Sequence, residues 1–287
     1  MSESNRLAGT GKEWVGAAAL KGGKGYASGP LGQIHYRSVG EGAGAPVLLI
    51  HQTPLGIAQY IDVQPAIARA GRRAIASDNP GFGLSDPAPK SGLSVADLAD
   101  NLIGLLDHLK VDKVVIVGHH TGAAIAACFG ARHKVRTAGV VLHGSPLYTA
   151  AERAERLARP TVEMVMNADG SHLSESFQQI FKYTDQSPKS LASATWGTLG
   201  ALMAGPDVPT YKAVFGNDMA PDIAAITAPT MILTDTSDSL HRTDKQVSAM
   251  RPDFTLKVFS DGGSFALMHE PERWARTIVD FADENGL

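Results

Sequence analysis

The segment Val115-Ile116-Val117-Gly118-His119-His120-Thr121-Gly122 constrains this chain more than any other. An apolar run of the kind found in buried strands passes directly into Thr121–Arg132, a small-residue stretch that reads as a helix able to pack closely on a sheet. Gly118 and Gly122 flank His120 at equal spacing, and such glycines permit a strained strand-to-helix turn that lifts one side chain above the sheet. A positive φ is expected at His120, and histidine is among the non-glycine residues that tolerate it.

The rest of the chain repeats the alternation. Strand patterns occur at Ile34–Val39, Pro46–His51, Arg73–Asp78, Lys113–Val117, Gly139–His143, Thr230–Asp235 and Thr255–Phe259. Helical patterns fall between them: Ala58–Ala70 with a kink or restart at Pro65, Ser94–Leu109 with Ser94 as its cap, Leu240–Met250, and Pro271–Ala282. Together they predict an α/β fold, a mostly parallel sheet covered by helices on both faces. Residues 147–221 lack a strand pattern and read as an inserted helical cap, which leaves 31–146 and 222–287 as the core. Residues 1–30, rich in Gly, Ala and Ser, read as a loosely packed N-terminal arm.

Composition narrows the partners. A chain of 287 residues suits one α/β domain with a modest insertion. The net charge is −3 and there is no long basic run, so neither nucleic acid nor an anionic membrane surface is expected. No apolar stretch approaches the roughly 20 residues of a membrane span. Cys128 is the only cysteine, which excludes an internal disulfide and a cysteine zinc site and fits a reduced, cytoplasmic setting. The histidines show no H-x-x-x-H or H-E-x-x-H spacing, so no metal is expected, and no other cofactor is indicated. A homo-oligomer is left open.

Three more segments stand in order around the elbow: His51-Gln52-Thr53-Pro54, the loop Ser77-Asp78-Asn79-Pro80-Gly81-Phe82-Gly83-Leu84-Ser85-Asp86, and Pro229–Asp238. With Gly118–Gly122 they resemble the α/β-hydrolase superfamily, in its capped, epoxide-hydrolase-like branch with an HGxP oxyanion turn. The resemblance covers roughly residues 31–146 and 222–287. It implies a catalytic site with three departures. His120 stands at the elbow, where the family places Ser, Asp or Cys. Ser264, in Gly262-Gly263-Ser264-Phe265, stands where the family places its histidine. Gln52 replaces the glycine of the oxyanion turn and brings extra amide donors. The acid is unchanged as Asp238.

The three residue types of a hydrolytic triad are thus present with Ser and His exchanged. Triads are defined by geometry and role rather than chain order, so Ser264 can act as nucleophile, His120 as base and Asp238 as orienter. The resemblance places the oxyanion donors at the backbone N–H groups of Thr121 and Thr53. Asp78 and Asp86 are expected to fix their loop, His51 its turn, and His119 to be structural. His143 reads as a core-edge residue, His241 as an exposed helix position, His269 as an alternative base, and Cys128 as an inert buried thiol.

Three functions remain open. One is hydrolysis of an ester, lactone or related carbonyl group. Another is cofactor-free lyase or decarboxylase chemistry with His120 as general acid/base. The third is a ligand-binding protein without turnover. The cap carries Tyr148, Phe177, Trp196, Tyr211 and Phe215 among other apolar residues, which favours a small hydrophobic carbonyl-containing substrate.

Overall fold

The computed structural model describes residues 22–87, 92–160, 165–184, 186, 190–205, 208–260 and 265–287. Its strands are β1 (Lys24–Gly29), β2 (Gly32–Val39), β3 (Val47–Ile50), β4 (Ala74–Ser77), β5 (Val114–His119), β6 (Thr137–His143), β7 (Thr230–Asp235) and β8 (Thr255–Phe259). They form one sheet in the order β1-β2-β4-β3-β5-β6-β7-β8. β2 pairs antiparallel with β1 and β4, and every other pairing is parallel.

The apolar runs explain the layering. β3, β4, β5 and β7 are buried throughout, as strands covered on both faces must be. On one face Val115 and Val117 meet α1 (Val63–Arg69), through Val63, Ala66 and Ile67. On the other, Val114 and Ile116 meet α2 (Val95–His108) and α3 (Thr121–Arg132). Ser94 caps α2 in a capping box with Asp97, as its pattern predicts.

Two expectations are corrected. Lys24–Gly29 is not part of a loose arm: it pairs with β2 as an edge strand, its alternation too weak in apolar residues to be read as one. The helix expected over Ala58–Ala70 does restart, but at Val63 rather than at Pro65: a 3-10 turn spans Gly56–Tyr60 and α1 follows. The break precedes Pro65, which lies in the first turn of α1, where its missing N–H leaves no bond unmade.

Within residues 147–221 stand α4 (Ala150–Leu157), α5 (Ser171–Phe181), α6 (Leu191–Ala204) and α7 (Pro209–Gly216), with no strand among the described residues there. The chain then returns to the core through α8 (Ala220–Ala225), α9 (His241–Met250), α10 (Ala266–His269) and α11 (Pro271–Glu284). α6 reaches the turn after β3 through glycine: a Cβ on Gly200 would sit 1.8 Å from the Pro54 carbonyl oxygen. Gly200→Ala is therefore expected to push α6 off that turn. Overpacking of this kind typically costs about 1–3 kcal/mol, and a denaturant midpoint lower than wild type, with an altered KM, checks it.

Candidate active site

The site lies where the strands β3, β5, β6 and β7 end, the usual place for ligands in a parallel sheet. Its centre is the turn between β5 and α3. A Cβ on Gly118 would lie 2.0 Å from the Gly122 carbonyl oxygen, and one on Gly122 would lie 2.0 Å from that of Ile50. Only glycine lets the strand and helix approach this closely. His120 takes φ 49° and ψ −108°, the strained conformation of an elbow residue. Its N–H donates to His143 O at 2.8 Å, and its carbonyl accepts from Ala123 N–H at 2.8 Å.

The elbow delivers the imidazole to the end of β7. His120 Nε2 lies 2.9 and 3.1 Å from the two carboxylate oxygens of Asp238, whose Oδ1 also accepts Leu240 N–H at 2.7 Å. The Asp238 side chain is fully buried, while that of His120 is 19% exposed. Burial alone would lower the His120 pKa, but the Asp238 charge and hydrogen bond, aided by the Asp244 charge, outweigh it and raise the pKa. Burial would likewise raise the Asp238 pKa, yet His120 holds this carboxyl well below the usual carboxylate range. With Nε2–H donating to Asp238, the lone pair of a neutral His120 is on Nδ1. Such a ring can accept a proton on Nδ1 while the buried carboxylate orients it.

Gly144 makes room for the ring. It has φ +68°, and a Cβ there would lie 2.1 Å from His120 Cδ2. Asp244, on α9, accepts the backbone N–H groups of Gly144 and Ser145 at 3.0 and 2.7 Å, and burial pushes its carboxyl up to about 6. Gly144→Ala would force the imidazole off Asp238. A fall in kcat well beyond any loss of thermal stability is expected, measured by steady-state kinetics beside a melting curve.

The oxyanion candidates come together. Thr53 N–H points at Thr121 Oγ1 across 3.5 Å, and the two hydroxyls lie 2.8 Å apart. Tyr211, on α7, faces the Thr53 side chain, and burial raises its own pKa. Gln52 is buried, with its N–H donating to Gln59 Oε1 at 3.0 Å. Gln59 and Gly144 were not singled out from the sequence, because nothing in their local pattern distinguishes them, and Tyr211 was named only as one of the apolar residues of 147–221. Gly262, Gly263 and Ser264 lie outside the described residues.

The remaining candidates sort by contact. His51 donates from Nδ1 to Gln52 O at 2.8 Å and accepts Asn79 N–H on Nε2 at 2.8 Å, so it stabilises its turn. Asp78 accepts from Ile57 N–H, Leu84 N–H and His35 Nδ1, and Asp86 accepts Gln33 N–H, which fixes the loop as expected. His269 Nε2 lies 3.3 Å from Ser190 Oγ, at the start of α6. His241 is not exposed but half-buried, its Nδ1 3.1 Å from Thr234 Oγ1, because α9 begins against β7. Cys128 is buried and its thiol is pushed up to about 12, so it is inert.

A family model for the alpha/beta hydrolase fold matches residues 45–271. The chain belongs to that family. It is 28% identical over 271 residues to 2-hydroxy-6-oxononadienedioate/2-hydroxy-6-oxononatrienedioate hydrolase 2 of Pseudomonas putida, covering 87% of this chain and 91% of that one. It is also 32% identical over 137 residues, 48% of this chain and 46% of the other, to haloalkane dehalogenase 2 of Mycobacterium tuberculosis. Among solved structures, an enol-lactonase from Burkholderia xenovorans superposes with a TM-score of 0.70 at 19% identity, covering 90% of this chain and all of that one. A thermophilic esterase from Thermogutta terrifontis gives 0.70 at 21% identity, with 92% and 99% covered. As a full-length relative of named hydrolases on this fold, the chain is a hydrolase-type enzyme. Among the described residues, no helix is long and apolar enough to cross a membrane.

Proposed function

We propose that this α/β-hydrolase cleaves an ester, lactone or related carbonyl compound, small and largely hydrophobic, with His120 as general base and Asp238 as its orienter. The observation that carries this reading is the two-oxygen contact between Asp238 and His120 Nε2, which leaves Nδ1 to accept a proton at the elbow. Ser264 is the nucleophile in this scheme. Its Oγ–H proton passes to His120 Nδ1 as Oγ bonds to the carbonyl carbon, and the C=O electron pair moves to oxygen. The N–H groups of Thr121 and Thr53 receive that oxyanion. Collapse expels the leaving group, which takes the proton from His120, and water then hydrolyses the acyl-serine by the same path. The Pseudomonas putida relative, named as a hydrolase of hydroxy-oxo-dienedioates and -trienedioates, adds small oxo compounds of that kind as a substrate class.

A second reading rests on a specific feature: the side chain presented by the elbow is itself a proton-transfer group. His120 can then act as general acid/base in lyase or decarboxylase chemistry without a covalent intermediate. Intact mass after treatment with a fluorophosphonate probe separates the two. The hydrolytic reading expects an adduct that maps to Ser264 and disappears in His120→Ala. Absence of an adduct, with activity retained in Ser264→Ala and lost in His120→Ala, would establish the second.

A further inference from the structure

Behind the His120–Asp238 pair lie two more histidines. His119 and His143 end neighbouring strands, paired in register, and both are fully buried. Their rings lie 4.5 Å apart between centroids, and the His119 ring lies 4.4 Å from that of His120. A ring nitrogen of each and a carboxylate oxygen of Asp238 all fall within 4.8 Å of one another. Such a cluster invites a metal, but the hydrogen bonds around it assign the protons otherwise.

Gln59 Oε1 accepts the backbone N–H of Gln52, a group that can only donate, so the other end of this amide is its NH2. That NH2 donates to His119 Nδ1 at 3.0 Å. Trp274 Nε1, which also can only donate, lies 3.2 Å from His143 Nδ1. Both Nδ1 atoms are therefore acceptors, and in each neutral ring the hydrogen is on Nε2. Burial lowers both pKa values, that of His143 to about 4, so the rings are neutral. Both Nε2 atoms are buried and have no hydrogen-bond partner among the described residues. Histidines that bind metal donate from their other nitrogen to an acceptor, and here both of those nitrogens receive instead. An oxygen atom suits the cluster better. For three atoms no more than 4.8 Å apart there is a point within about 2.8 Å of all of them, a distance at which one oxygen atom can hydrogen-bond to each.

We propose that His119 and His143 are positioning residues for the Asp238–His120 pair, acting as two Nε2–H donors, locked by Gln59 and Trp274, that hold the Asp238 carboxylate through one shared water. The water accepts both N–H groups and donates to Asp238, which satisfies every group in the cluster. By drawing on the carboxylate charge from behind, the donors temper the pull of Asp238 on the His120 proton. The groups that face His120 and set its protonation are Asp238, Asp244, His119 and His143. The inference rests on His120–Asp238 being the working pair, but its first test reads protons rather than turnover.

That test is long-range proton–nitrogen NMR of the histidine rings in the wild-type protein near neutral pH. Nε2–H tautomers are expected at both His119 and His143, unchanged when zinc is added. An Nδ1–H tautomer at either residue, or stoichiometric zinc binding that moves both rings, would overturn the proposal. His143→Phe removes one donor, and the His120 titration midpoint should then rise by about half to one pH unit. His143→Gln keeps a donor and should leave the midpoint near wild type. If Phe and Gln move it equally, or neither does, His143 only packs and the proposal fails. A failure of the hydrolytic reading would appear instead in the Ser264 labelling, with the tautomers unaffected.

Discussion

Replacing His120 by alanine is expected to lower kcat by about 10²–10⁴, the usual contribution of a positioned general acid/base, with little change in the melting temperature. The two effects separate because of how the elbow is built. Its backbone is fixed by Gly118, Gly122 and the bond from His120 N–H to His143 O, none of which needs the imidazole. Alanine does leave the Asp238 carboxylate without the His120 Nε2–H donor, but Leu240 N–H still donates to Oδ1. KM should move little, because the ring's hydrogen bonds run to Asp238 and its remaining nitrogen serves proton transfer rather than binding. His269→Ala is the control. His269 bonds Ser190 at the start of α6, so activity within a few-fold of wild type is expected. Activity kept in His120→Ala but lost in His269→Ala would assign the base to His269 and end the rearranged-triad reading.

How much of this site could be read in advance depends on how local each signal is. The elbow is spelled out by neighbours in sequence: two glycines, an apolar strand before them and a small-residue helix after them. Asp238 was legible from its place after β7, and Thr53 and Thr121 from the turns that carry them. Gly144 was not. Its glycine is required by the His120 ring, 24 positions earlier in the chain, which only the fold brings beside it. Gln59 and Trp274 are similar cases, since each hydrogen-bonds a histidine that ends a distant strand, His119 on β5 and His143 on β6. The contact of Tyr211, on α7, with Thr53, in the turn after β3, has no signature in either segment. Elements followed the same rule. The buried parallel strands appeared as apolar runs, whereas β1 is an edge strand whose pairing with β2, rather than hydrophobicity, gives it its form.

Asp238→Asn should have an effect at least as large, and it also changes the pH profile. Leu240 N–H holds the Oδ1 position of Asp238, so an asparagine would place its carbonyl oxygen there and turn its NH2 toward His120 Nε2. His120 Nε2 would become an acceptor, the ring hydrogen would move to Nδ1, and the base would face the wrong way. In serine triads the equivalent change costs about 10⁴ in kcat through the wrong tautomer, and a similar loss is expected here. The sign of the pH effect follows from the balance of forces on His120. In the wild type, Asp238 overcomes burial and raises the pKa, so the base becomes competent only as pH climbs through that raised value. Without the carboxylate, burial acts opposed only by the more distant Asp244, and the pKa falls. The acidic limb of kcat/KM, which reports the free enzyme, should therefore move to lower pH even as the plateau drops. A variant that keeps its rate within tenfold, with its acidic limb unmoved, would mean that Asp238 does not govern His120. A lower plateau with an unshifted limb would leave Asp238 a role in packing, without the charge that sets the base.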